Sequence, residues 1–151
     1  MKAFHKLMEL NLAGWSEVFL GLKKGWIGKN DVADYASNIL SSGVDDYNEN
    51  VAILAGADSM TDYEVEELVL PLLDGVDHCA FDSWRLAALE ELNDSELSDE
   101  DKIQKLQELY GEFDYPEDME PCSIYSEISI DPLEAMKLVI KTLKTKKKPG
   151  Y

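Results

Sequence analysis

The sequence predicts an all-α protein: a single domain over residues 1–151, built from about seven mostly antiparallel helices. Three observations predict it. Apolar residues recur at three- and four-residue intervals along most of the chain. Cap signatures open those stretches: Thr61 with Glu64, Ser98 with Asp101, and Asp131–Pro132 ahead of Glu134. Glycines close them, at Gly25, Gly43, Gly56 and Gly111. The composition is 45% hydrophobic, enough for a folded core in a chain of 151 residues.

The first helix follows from Trp15, Val18, Phe19 and Leu22, which form one apolar stripe. Lys23–Lys24 complement the negative helix end, and Gly25 stops it. A second helix is expected from Asn30, its cap, with Val32, Tyr35, Ala36, Ile39 and Leu40 inward and Gly43 as the stop. Asn48 to Ala55 reads as a shorter third helix. The Thr61–Glu64 box opens a fourth, lined by Val65, Leu68, Val69 and Leu72, which Pro71 should end or kink because its ring clashes with the preceding turn.

A longer helix is expected from about Val76 to Leu92, with Ala80, Trp84, Ala87 and Ala88 on one side. Ser98 caps the next, carrying Ile103, Leu106, Leu109 and Tyr110 up to Gly111. Residues 112–131 lose the pattern. With Pro116 and Pro121, they read as a long ordered loop, or as a loop with one extended piece at Ile124–Ile130. Asp131–Pro132 starts the last helix, whose inner side is Leu133, Met136, Val139, Ile140 and Leu143, followed by a frayed Lys-rich tail at 145–151.

Charge is the outlier in composition. There are 31 acidic and 14 basic residues, for a formal charge of −17. Between Lys29 and Arg85 no basic residue occurs, yet 13 acids do. Six of the bases lie from Lys137 onward, so residues 1–136 carry 8 bases against 31 acids, a charge of −23. Such a body repels a phosphate backbone, which excludes nucleic acid as a partner. No apolar stretch reaches the length of a signal-peptide core or a membrane span, so a cytoplasmic chain without membrane contact is expected. Cys79 and Cys122 are too few for a disulfide scaffold, in keeping with a reducing compartment.

The residues spell out no reaction. P-loop, dinucleotide, nucleophile-elbow and zincin motifs are all missing. His78 and Cys79 are neighbours in sequence but diverge on a helix, and Asp82 is the residue placed to meet His78. Carboxylate runs such as Glu64, Glu66, Glu67 lack the calcium-loop spacing. No catalytic residue, metal or cofactor is therefore assigned. Arg85, the one arginine, suits planar pairing with a carboxylate, and Asp114 and Asp118 are its candidate partners in a structural ion pair.

These landmarks resemble a bacterial family of small acidic proteins of unknown function. The matching residues are Trp15 to Leu22, Gly25–Trp26–Ile27, Asp31–Val32, Tyr35–Ala36, Trp84–Arg85 and the run Tyr110-x-x-Phe113–Asp114–Tyr115–Pro116–Glu117–Asp118–Met119. The likeness covers roughly residues 12–120. It implies no catalytic residues, and some members look like immunity proteins encoded beside secreted polymorphic toxins.

Charge and resemblance lead to one expectation: an immunity protein that neutralises a cognate toxin domain, a basic nuclease, by stoichiometric docking of an acidic surface. The partner-binding residues are expected in the acid-only stretch, at Asp45, Asp46, Tyr47, Glu49, Asp62, Tyr63, Glu66 and Glu67, with the tyrosines as hot spots. The alternative is a non-catalytic adaptor or homo-oligomeric structural protein whose acidity only keeps it soluble.

Overall fold

A computed structural model describes residues 3–42, 48–73, 79–127 and 130–146. The all-α class is what it shows: eight α-helices and three 3-10 turns, with no strand among the described residues. The helices are α1 (Ala3–Glu9), α2 (Trp15–Lys24), α3 (Lys29–Ser41), α4 (Glu49–Leu54), α5 (Asp62–Val69), α6 (Ala80–Asp94), α7 (Asp99–Glu112) and α8 (Pro132–Lys146). By their contacts the residues fall into two compact units. One is Leu12–Phe81, and the other joins Lys2–Asn11 to Asp82–Tyr151.

In the first unit, α2 ends where the lysine pair and glycine place its end. Gly25 adopts φ 72 and its N–H bonds to the Leu22 carbonyl. A left-handed residue is needed there, and only glycine takes that conformation without a Cβ penalty. α3 begins one residue before the expected cap, Asn30. Its cap is Gly28, and the Asp31 carboxylate reaches back to the Gly28 N–H at 3.0 Å, so the acid in the first turn supplies the capping oxygen. Val32 and Ala36 are buried as expected, but Leu40 is exposed, and Gly43 lies outside the described residues.

Asn48 caps α4, its side chain accepting from the Asn50 N–H at 2.8 Å. The Thr61–Glu64 box opens α5 with both reciprocal bonds made. Pro71 ends the α-helical run as its geometry requires: α5 stops at Val69 and a 3-10 turn, Leu70–Leu72, follows. α3 packs on α4 and on the 3-10 turn Ala57–Ser59, while α2 and α4 both pack on α5. Two polar ties hold these elements. Lys29 Nζ donates to the Met60 carbonyl at 2.8 Å, and the Asn50 amide to the Leu68 carbonyl at 3.2 Å.

In the second unit, α1 is a helix the periodicity did not single out. Seven residues are too few for a repeat, but Ala3, Phe4 and Leu7 are all buried. Phe4 stacks on Trp84 of α6 with ring centroids 6.0 Å apart, and Lys6 meets Asp94 of the same helix at 2.8 Å. α6 runs two residues beyond Leu92, and the expected start at Val76 falls outside the described residues. α7 passes straight through Gly111, the expected stop, and continues to Glu112. The chain turns instead through Asp114 and Tyr115, at φ 62 and 55. That left-handed pair is held by Tyr115, whose ring meets Tyr110 edge-on at 5.1 Å and lies over Gly111.

The irregular region contains a 3-10 turn, Glu117–Cys122, with Met119 and Cys122 fully buried. No extended piece is present among its described residues, and 128–129 lie outside them. Gln107 of α7 holds this segment. Its amide donates to the Cys122 carbonyl at 2.9 Å and accepts from the Ile124 N–H at 3.1 Å. α8 opens on Asp131, whose carboxylate accepts from the Leu133 N–H, and buries Met136, Val139, Ile140 and Leu143. Helix continues through Lys146, so positions 145 and 146 belong to α8 rather than to a frayed tail, while 147–151 are outside the described residues.

Candidate protein-binding surface

The described part of the acid-only stretch runs through α3, α4 and α5 and into the start of α6. Helical geometry turns α5 so that Val65 and Val69 are fully buried. Tyr63 and Glu67, four residues apart, then share the opposite face, and Leu70, the first residue of the 3-10 turn, follows three residues on. Tyr63 is 71% exposed and Leu70 is 55% exposed. Asp62, Glu64 and Glu67 are exposed around them. The Glu67 carboxylate, four residues on, pushes the Tyr63 phenol above its ordinary range.

Glu66 behaves differently from its neighbours. It is half-buried and turns to Lys23 of α2, at 3.4 Å, so its charge is already partnered. Lys23 in turn lies over the Phe19 ring, 5.6 Å from its centroid. Glu49 is exposed in the first turn of α4. Asp45, Asp46 and Tyr47 fall outside the described residues, so of the expected set the structure places Glu49, Asp62, Tyr63, Glu66 and Glu67. Leu70 was missed by sequence reasoning, which read charge and aromatic content and took the apolar residues of this helix as core. The signal was available in the position of Leu70, seven residues after Tyr63.

The arginine belongs to the other unit and does structural work. Arg85 Nη1 meets Asp118 Oδ1 at 2.6 Å and Nη2 meets Asp82 Oδ1 at 2.8 Å. Burial disfavours its charge, and the hydrogen bonds to Asp118 and then Asp82 more than offset that, leaving the guanidinium pKa raised. Asp114, the other candidate partner, occupies the left-handed turn after α7 instead. Asp82 had been placed opposite His78. Its observed partner is Arg85, three residues on, and His78 is outside the described residues.

Other titratable groups are similarly engaged. On α8, Lys137 pairs with Glu134 at 3.4 Å and Lys144 with the largely buried Glu90 at 3.0 Å. Cys122 is fully buried, and burial followed by the nearby Asp118 charge pushes its thiol up to about 11, so it is inert at neutral pH. Among the described residues no group of three His, Cys, Asp or Glu is arranged to hold a metal ion. Among the same residues no helix is long and apolar enough to cross a membrane.

The fold and this surface define a class, small all-α proteins with carboxylates on an exposed helix face. The chain belongs to the DUF2247 family, described as uncharacterized proteins conserved in bacteria, which matches residues 5–145. No match was found among curated proteins or among solved structures.

Proposed function

We propose that this protein is a cytoplasmic immunity protein that binds a cognate toxin domain, a basic nuclease, and blocks it stoichiometrically. The observation that carries the reading is the α5 face. An exposed tyrosine and an exposed leucine sit among Asp62, Glu64 and Glu67, within a stretch of 13 acids and no base. Aromatic and apolar anchors supply binding energy when desolvated, while the surrounding carboxylates steer a cationic partner and set the encounter rate. A nuclease must present cations to hold phosphates, so a polyanionic protein surface can occupy the same ground. Neither a nucleic acid nor a membrane is a partner in this reading, and no cofactor takes part.

The test takes any basic protein encoded immediately beside the gene as the candidate toxin. The purified protein should abolish the nuclease activity of that product at one equivalent. Double reversal at Glu49→Lys and Glu67→Lys should slow association and flatten its salt dependence. Full nuclease activity at excess of the wild-type protein overturns the reading and favours an adaptor or structural role.

A further inference from the structure

α8 carries Lys137, Lys141, Lys144 and Lys146 against one acid, Glu134, so its sign is opposite to that of the whole chain. Lys137, Lys141 and Lys144, spaced at four and three residues, line an open cleft of about 610 Å³ beside Glu90 and Asn93 of α6. Glu91 and Asp94 of α6 line a separate cleft with α1, which leaves Glu90 as the one carboxylate lining the lysine cleft. Glu90 is buried and meets Lys144 at 3.0 Å, and Lys137 meets Glu134 at 3.4 Å. Among the described residues no carboxylate lies within ion-pair distance of the Lys141 ammonium, in a chain with 31 acids.

We propose that this cleft binds a small phosphate-class anion with at least two negative charges, such as pyrophosphate. The inference is independent of the toxin reading. Like charges three and four residues apart on a helix repel, so three lysines facing one cleft are unfavourable until an anion lies among them. The attraction of a helix C-terminus for cations accounts for Lys144, in the last turn, but not for Lys137 and Lys141, which precede it. Glu90 engages one of the three donors of the Lys144 ammonium and fixes its position, which lowers the ordering cost of binding. An ammonium acts as a point charge and suits phosphate oxygens, whereas carboxylate recognition favours the planar fork of an arginine. The one arginine of the chain is committed to Asp82 and Asp118. The net charge of −17 repels an anion at a distance, but at physiological salt that field decays over about 8 Å, and the ammoniums act at contact.

The experiment titrates the full chain with pyrophosphate at physiological salt, followed by the amide NMR shifts of Asn93, Lys141 and Thr145. Those shifts should saturate, and Lys141→Gln should weaken binding about tenfold, the loss of one hydrogen bond to a charged group. Lys105→Gln removes the same charge from α7, where Lys105 is paired with Glu108, and should leave the affinity unchanged. Both lysines are exposed, so the two variants keep the fold. Citrate, which carries its charges on carboxylates, should bind more weakly than pyrophosphate. Shifts that do not saturate, equal weakening by the two lysine variants, or citrate binding as tight as pyrophosphate overturns the inference. None of these results bears on nuclease inhibition, which is measured separately.

Discussion

Arg85 and Asp118 meet at 2.6 Å, joining the middle of α6 to the 3-10 turn that follows α7 across 33 residues of sequence. The guanidinium is buried while the Asp118 side chain remains 39% exposed, so the carboxylate keeps part of its hydration. Arg85 also bonds Asp82 through its second terminal nitrogen, forking between two carboxylates.

Removing the fork should destabilise the protein. Arg85→Ala is expected to cost about 2–4 kcal/mol, at or below the range for breaking a buried pair because Asp118 can rehydrate. Arg85→Lys should not restore wild-type stability, since one ammonium on a flexible stem does not reproduce the planar fork. Urea unfolding followed by circular dichroism measures both. A lysine variant as stable as wild type would show that charge alone suffices.

The reciprocal cap of α5 gives a second prediction. Thr61 Oγ1 accepts from the Glu64 N–H at 3.2 Å, and Glu64 Oε1 accepts from the Thr61 N–H at 3.4 Å. Thr61→Ala should cost about 1 kcal/mol, and Thr61→Ser should recover most of it. Because α5 also carries Tyr63 and Glu67, the alanine variant should broaden the Tyr63 ring signal before global unfolding.

Gln107 should govern the order of the segment after Cys122. Gln107→Ala removes the acceptor of the Ile124 N–H and the donor to the Cys122 carbonyl. Amide exchange at Ile124 should accelerate about tenfold, the equivalent of one hydrogen bond of ordinary strength. Unchanged exchange would mean that packing of Met119 and Cys122 alone holds the turn.

Thiol chemistry and alkaline stability follow from one burial difference. Cys79 is exposed and Cys122 is not, so a disulfide reagent at pH 8 should modify Cys79 quickly and Cys122 only on unfolding. Burial pushes the folded thiol of Cys122 up to about 11, against 9.0 for the free group. Its folded pKa is the higher, so its contribution is complete below pH 9 and is lost as pH rises through the 9–11 window. Tyr35, pushed up to about 12 by burial and then by the Glu17 charge, extends the loss above pH 10. The urea midpoint should therefore fall above pH 9, and fall less steeply from 9 to 11 in Cys122→Ala.

Local rules made much of the helix framework readable. Gly25, Asn48, Thr61, Ser98 and Asp131 act within three or four residues of themselves, so their roles follow from neighbours in the chain. The exceptions show where that reach ends. α1 is too short to show a period and is held by Phe4 against Trp84, 80 residues on. α7 overran Gly111 because the turn residues that stop it, Asp114 and Tyr115, are stabilised by packing on Tyr110 rather than by intrinsic preference.

By itself the chain determined the all-α class, the starts of α2, α4, α5, α7 and α8 and the sign of its charge, since periodicity, capping and ionisation are local properties. Tertiary structure decided which carboxylates remain available. Glu66 and Glu67 are adjacent and chemically identical, yet one faces Lys23 and the other Tyr63. It decided too that Asp118, and not Asp114, meets Arg85. The reason is geometric: a helix rotates successive side chains by about 100°, so neighbours in sequence meet different surroundings once the helix is packed.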